Sequence, residues 1–346
     1  MKAPLPHAAA RAAQAVAPAN IAFIKYWGAA DLDRAIPLNA SLSMTLHCSV
    51  SRCELDPRPA PDDEVWLRAD DGEAHPAPPG FSSRVCRHLD GLRGWSGRSD
   101  RFRVGAWNSF PTGAGLASSA SGFAALTRAA MEAWDLDPDP ETLSLLARGS
   151  GSGSAARSVL GGFVQWPGCE PAAGSEAGPS GFDPEGPAVQ LAPASHWDLR
   201  DVIAIIDPTP KAISSRDGHR RAATSPHMEA RLRTLPSRLG RARTAIRERD
   251  MEALGETIEE EAVELHLIAM SSRPPIFYWL PGTLEVMAEV RHLREDGVSA
   301  YFTIDAGPNV HVICPPESED DVCRRLGSLA AVEGLIRDRV GSAGTP

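Results

Sequence analysis

Several features that would assign this sequence quickly are missing from it. The six cysteines, at positions 48, 53, 86, 169, 314 and 323, form no C-x-x-C pair and have no accompanying histidine spacing, so neither a zinc site nor a disulfide framework is indicated. Reduced thiols in a cytoplasm are the expectation. No apolar run reaches the length of a membrane span, and Met1 to Ala15 lacks the apolar segment of a secretory signal and reads as a loose extension. Positive charge is in deficit: 35 Lys and Arg against 45 Asp and Glu give a formal net charge of -10 at pH 7. That balance argues against general nucleic-acid affinity, although arginines gather between Arg216 and Arg249. The Walker spacing G-x-x-x-x-G-K-[ST] is absent too.

What is present starts with length. The 346 residues suffice for two domains of ordinary size, with the apolar content of a folded soluble chain. The most informative text is Pro111 to Gly122, PTGAGLASSASG, which runs straight into an alanine-rich segment. Gly113 and Gly115 allow close backbone approach, and the helix that follows offers unpaired N–H groups to an anion. A phosphate cradle is one reading; close packing of a helix on a sheet is the other. Ser118, Ser119 and Ser121 sit where a magnesium triphosphate could use hydroxyls.

Periodicity predicts short strands within 21–50, at 65–68 and at 102–107, then helices at 118–134 and 141–148. The stretch Pro167 to Pro193, rich in Pro, Gly, Ala, Ser and Glu, reads as a long loop insertion. Beyond it a strand is expected at 202–206, followed by helices at 225–249, 251–271 and 283–295. Pro236 should kink or split the first of these helices. A hairpin-like strand pair at 299–304 and 310–314 and a last helix at about 318–332 complete the pattern. Strands with helices between them indicate an α+β layer structure. The expected division is an extension over 1–15, an N-terminal domain over 16–195 and a C-terminal domain over 196–346.

Polar residues interrupt apolar or turn text in four further places. In NIAFIKYWG, 20–28, Lys25 and Tyr26 break a strand before a glycine, either as a snorkelling edge or as a phosphate-facing lysine. In GSGSGSAAR, 149–157, Ser152, Ser154 and Arg157 meet at a helix start, where a flexible linker is the competing reading. KAISSRDGHRR, 211–221, is either a solvated basic loop or an anion clamp built on Ser214, Ser215 and Arg216. In TIDAGPN, 303–309, Asp305 either stabilises its own turn or, held near a cation, stays ionised to accept a proton from a hydroxyl.

Taken in order, these segments resemble the mevalonate diphosphate decarboxylase family of the galactokinase, homoserine kinase, mevalonate kinase and phosphomevalonate kinase (GHMP) superfamily. The text carrying the resemblance is NIAFIKYWG, NSFPTGAGLASSASG, SGSAARSVLGGFVQW, SSRDG, TSPH and YFTIDAGPNVHV. It implies a two-domain α+β GHMP-kinase-like fold with the active site in the interdomain cleft. It also implies an ATP- and Mg²⁺-dependent decarboxylase of isoprenoid biosynthesis, in which the 3-hydroxyl of a 5-phosphorylated mevalonate is phosphorylated before phosphate and CO2 leave. By that resemblance Asp305 is the catalytic aspartate, Arg157 holds the substrate carboxylate and Lys25 completes the catalytic group. Gly113, Gly115, Leu116, Ala117, Ser118 and Ser119 take the nucleotide phosphates, with Ser118 and Ser119 meeting Mg²⁺ through ATP. Asn20, Tyr26, Ser152, Ser154, Arg157, Ser215 and Arg216 take the substrate. The resemblance is compatible with a homodimer, and it implies neither a nucleic-acid nor a membrane partner.

One departure stands out. Family members usually read KYWGK, whereas this chain reads KYWGAAD, with Ala29 in the place of a lysine that faces the substrate diphosphate. The loss of that charge leads to the expectation that 5-phosphomevalonate is preferred, giving isopentenyl phosphate and a place in the mevalonate 5-phosphate decarboxylase branch. Arg34 could compensate, which keeps 5-diphosphomevalonate as the alternative. A 3-kinase that does not decarboxylate and a nucleotide-binding protein without turnover are further readings. Trp66 and Trp107 are candidates for holding the base.

Overall fold

The computed structural model describes residues 9–68, 72–110, 118–167, 183–209 and 213–344. The N-terminal half is built on one long strand. β1 (Ala13–Ile24) lies antiparallel to β4 (Ser41–Arg58), with the small hairpin β2 (Ala29–Asp31) and β3 (Ile36–Pro37) between them. The first end of β4 pairs β8 (Phe163–Trp166), which takes β9 (Val189–Ala192) at the edge. Its second end pairs β7 (Arg101–Asn108), and beyond that lie β5 (Glu64–Arg68), parallel to β7, and β6 (Ala74–Pro76). Helices α1 (Pro79–Ser96), α2 (Ser118–Ala133), α3 (Pro140–Arg148) and α4 (Gly153–Ser158) belong to this half.

The C-terminal half is a four-stranded antiparallel sheet in the order β11 (Tyr301–Thr303), β12 (Val310–Cys314), β10 (Arg200–Ile205), β13 (Gly334–Arg339). It carries α5 (Ser215–Ala222), α6 (Met228–Glu248), α7 (Met251–Ser271), α8 (Pro281–Glu295) and α9 (Glu319–Gly327). Each half has its own core, and a third core joins them: Ile21 and Phe23 of β1 pack with Leu235, Leu239 and Ala242 of α6 and with Ile203, Tyr301 and Ile313 of the second sheet. The halves are also sewn together at β13. The Asp338 carboxylate accepts the backbone N–H groups of His47, Cys48 and Ser49, each at 2.8 Å, and Gly341 donates to the Thr45 carbonyl at 2.8 Å.

Several expectations need correction. Residues Ala13–Ala15 belong to β1 rather than to an extension, and Val189–Ala192 adds an edge strand inside the stretch read as a loop, because four residues suffice when a neighbour supplies the ladder. Lys211 to Arg221 is not a basic loop throughout: Ser214 caps α5 by accepting the Asp217 N–H at 3.1 Å. Pro236 does not split α6, which runs from Met228 to Glu248 and is tied to α7 by ion pairs of Arg231 and Arg238 on either side of the proline. The last helix ends at Gly327 rather than near 332, and a strand, β13, follows at Gly334–Arg339. The alanine-rich helix has a packed side and a start that faces open space. Ala124, Ala125, Ala129 and Ala130 are fully buried as packing surface, while the start of α2 faces a cavity.

Candidate active site

Strands from the two halves end at the same place. β1 finishes at Ile24, and the chain then turns away at Gly28, whose φ of +89° suits glycine. β11 finishes at Thr303, and Asp305 follows in a tight turn closed by Gly307 N–H on the Asp305 carbonyl at 2.7 Å. The Lys25 ammonium therefore meets the Asp305 carboxylate across the seam, Nζ to Oδ1 at 2.6 Å, and also donates to the Ala22 carbonyl at 2.7 Å. Lys25 is buried, while the Asp305 side chain is 27% exposed and opens on a cavity of about 300 Å³. Burial pushes the Asp305 carboxyl up, but the Lys25 charge and hydrogen bond, aided by His311 and Arg157, leave it below the usual carboxylate range. It is ionised at neutral pH, as a proton acceptor must be.

Arg157 lines the same cavity from α4. Its guanidinium donates to Asn20 Oδ1 at 3.2 and 3.3 Å, to Ser154 Oγ at 3.1 Å and to Ser41 Oγ. All three are neutral acceptors around a buried cation, and burial pushes its pKa down to about 10. Such a group is suited to take up a carboxylate in the cavity. Asn20 does not line the cavity; it stands behind Arg157, with its amide fixed by Ser158 Oγ at 2.8 Å.

Tyr26, Ser152, Ser154, Ser215 and Arg216 all line the cavity, together with Trp27, His219 and Arg84. Gly153 has to be glycine, since a Cβ there would lie 2.4 Å from the Trp166 ring and 2.9 Å from that of Tyr26. Tyr26 is edge-on to Trp166, with centroids 5.1 Å apart, and burial raises its phenol to about 12, so it stays a hydrogen-bond donor. Arg216 donates to the Leu32 carbonyl at 3.1 Å and pairs with the exposed Asp33. An exposed pair of this kind contributes little and can yield to a stronger anion. Arg34 pairs with the exposed Glu185 and is not among the residues that line the cavity.

A second cavity, of about 650 Å³, shares Arg84, Ser118 and Ser119 with the first. Trp107 lines it beneath the Arg68 guanidinium, 4.8 Å from the ring centroid, with Phe81, Phe110 and Pro208 nearby; Trp66 stacks under Arg103 elsewhere. Ser121 faces neither cavity and is buried against Ser51 Oγ at 2.7 Å. Gly113, Gly115, Leu116 and Ala117 lie outside the described residues. Arg84 was not apparent as a site residue in the sequence, although the spacing Phe81, Val85, Leu89, Leu92 is that of a helix. Burial lowers the Arg84 pKa, with Arg216 opposing the same charge. The cations Lys25, Arg84, Arg157 and Arg216 thus concentrate positive potential inside an acidic protein.

Comparison with known proteins gives a consistent answer. Residues 17–177 match the model of the diphosphomevalonate decarboxylase-like N-terminal domain, and residues 201–339 match that of the mevalonate 5-diphosphate decarboxylase C-terminal domain. The chain is 34% identical over 326 residues to the diphosphomevalonate decarboxylase of Ganoderma lucidum, covering 88% of this chain and 78% of that protein. With the Bos taurus diphosphomevalonate decarboxylase it shares 33% over 357 residues, covering 94% and 85%. Among solved structures, the mevalonate diphosphate decarboxylase from Enterococcus faecalis superposes with a TM-score of 0.84 at 33% identity, covering 97% of this chain and 99% of that one. A structure of MDDEF in complex with MVAPP, AMPPCP and magnesium also gives 0.84, at 34% identity, covering 97% and 98%. Among the described residues no helix is long and apolar enough to cross a membrane.

Proposed function

The chain belongs to the diphosphomevalonate decarboxylase family of ATP-dependent carboxy-lyases, and from that premise we propose that it converts 5-diphosphomevalonate to isopentenyl diphosphate. The names of the relatives support the diphosphate over the monophosphate expected from Ala29. The observation that carries the reading is the Lys25–Asp305 pair, joined at 2.6 Å across the two halves and facing a cavity that also presents Arg157.

Asp305 takes the proton of the substrate 3-hydroxyl as that oxygen attacks the γ-phosphorus of ATP and ADP leaves. A tertiary hydroxyl is a poor leaving group and its phosphate a good one. Loss of the 3-phosphate then lets the electron pair of the carboxylate bond form the alkene as CO2 departs. Arg157 holds the carboxylate, and Tyr26, Ser152, Ser154, Ser215 and Arg216 hold the 5-phosphoryl end, with Asn20 aligning Arg157.

The larger cavity suits the nucleotide. Trp107 and Phe110 offer apolar surface to the base, and Arg84, Ser118 and Ser119 stand where it opens on the substrate cavity. Magnesium, carried by the ATP phosphates near Ser118 and Ser119, neutralises charge on the transferred group. Arg84→Ala should cut kcat/KM for ATP by about tenfold to a hundredfold, the loss of one charge-assisted hydrogen bond, with little change in substrate KM; initial rates at varied ATP measure it.

Equal amounts of ADP and CO2 released per substrate consumed would support the proposal. ADP without CO2 would mark a kinase alone, and nucleotide binding with no ADP would mark a protein without turnover. Ala29 favours a second reading, 5-phosphomevalonate as the better substrate, since the lysine expected at that position is missing from the sequence and Arg216 is shared with Asp33. The ratio of kcat/KM for the two substrates decides between them. Ala29→Lys is expected to move that ratio toward the diphosphate by about tenfold.

A further inference from the structure

The backbone of Lys25 is anchored as well as its side chain, from its own half of the molecule and from the opposite one. Its N–H donates to Glu261 Oε1 at 2.9 Å, and its carbonyl accepts from Asn39 Nδ2 at 2.9 Å and Arg231 Nη2 at 3.4 Å. Glu261, on α7, is fully buried, and it is charge-compensated by Arg231 and Arg238 of α6, both buried as well. Glu264 accepts from both arginines, and Glu260 pairs with Arg238 at 2.7 Å. A buried ionic network is a poor source of stability compared with apolar packing, and its retention calls for another account. Here one corner of it ends on the main chain of the residue whose ammonium contacts Asp305.

We infer that Glu261, braced by Arg231, is a positioning residue that fixes the Lys25 backbone and so aims the Lys25 ammonium at Asp305. The inference rests on the decarboxylase reading above, in which Asp305 accepts the hydroxyl proton. Lys25 is thus held at its backbone N–H and carbonyl by Glu261 and Asn39 and at its ammonium by Ala22 and Asp305. Loosening the N–H anchor frees the strand end to shift relative to the β11 turn, and the Lys25–Asp305 contact lengthens. Asp305 is otherwise faced by His311 from β12, Arg157 from α4 and His266 from α7, and Lys25 by Asp201 from β10. None of these replaces a hydrogen-bonded ammonium, so a looser Lys25 leaves Asp305 easier to protonate.

The test uses the full-length enzyme and the Glu261→Leu variant, which has no acceptor for the Lys25 N–H, with initial rates for ADP and CO2 measured across pH in parallel with wild type. The expected result is a kcat lowered about tenfold with KM values within about twofold, and an acid limb of kcat/KM displaced upward by about half to one pH unit. Substrate ionisation is common to both enzymes and cancels in the comparison. A lower Tm with kcat per folded molecule and acid limb unchanged would overturn the inference, leaving Glu261 a purely structural residue. Should Glu261→Leu fail to fold, the double variant Arg231→Met/Glu261→Leu removes both charges together and is read in the same way: a displaced limb supports the inference, an unmoved one overturns it. A wild type that releases neither ADP nor CO2 would instead overturn the decarboxylase reading, and the inference with it.

Discussion

Asp305→Asn lowers kcat by about 10² to 10⁴-fold, the usual worth of a positioned proton acceptor, while KM for the phosphorylated substrate stays within a few-fold. The amide keeps the size of the carboxylate and an oxygen for the Lys25 ammonium, so the shape of the cavity is retained. What it cannot do is take the hydroxyl proton. Steady-state rates at saturating ATP measure the effect, and a kcat within tenfold of wild type would remove Asp305 from the proton path. A second consequence concerns stability. Lys25 is buried and loses its counter-ion, which costs about 3 kcal/mol, the low end for breaking a buried pair because the carboxylate opens on the cavity. The pH dependence has a definite sign. The Asp305 carboxyl is held below its ordinary range, so its contribution is fully present above the unfolded value and is lost as pH falls through the folded one. The stability difference between wild type and Asp305→Asn should therefore shrink at the acid end, which denaturation at several pH values will show.

Arg157→Met is expected to have the second-largest effect, and the direction of its two consequences differs. On the proposed role, loss of the guanidinium removes about 2 to 5 kcal/mol of binding, on the order of 30-fold to several thousand-fold in kcat/KM. The unliganded variant, by contrast, should melt at a temperature equal to or above that of wild type. Among the described residues its hydrogen bonds go to the neutral acceptors Asn20, Ser41 and Ser154, and burial, only partly offset by Asp305, depresses its pKa to about 10. A cation whose folded pKa is depressed weakens the fold wherever it is charged, which includes neutral pH, so methionine relieves that cost. Adding substrate should raise the Tm of wild type and leave that of the variant nearly unmoved, since only the former gains a partner for its charge. A variant that retains both the substrate-induced shift and the rate would mean that the carboxylate is held elsewhere.

The long apolar patterns were the legible part of the fold. Helix α7 spans the residues that periodicity assigned to it, and the pair β11 and β12 brackets the turn that carries Asp305. Short elements whose existence depends on a distant neighbour were not legible. β9 exists because β8 offers it an edge, and β13 because β10 does; their own composition resembles loop text. The site was legible wherever a reactive residue sat in unusual local text, as Lys25 and Arg157 do. It was illegible where an ordinary surface-type residue is turned inward by its helix. Arg84 and Glu261 look like solvated charges on amphipathic helices, and only the packing of α1 and α7 shows one at the junction of the cavities and the other against a strand end. Asn20 is a third case: its segment was readable, yet its hydrogen bond from Arg157 depends on a residue 137 positions away.

The seam made by Asp338 has a bearing on how the chain acquires its structure. The N–H groups of His47–Ser49, in β4, wait for a carboxylate 291 residues downstream of the first of them, and Gly162 likewise donates to the Gly341 carbonyl at 2.8 Å. During synthesis the first half can collapse around its own helices, yet those N–H groups have no protein acceptor until β13 emerges from the ribosome. Contacts of such sequence separation are slow to close and leave a partly open intermediate in the meantime. Asp338→Ala should accordingly be most visible as slower refolding and greater aggregation on dilution from denaturant.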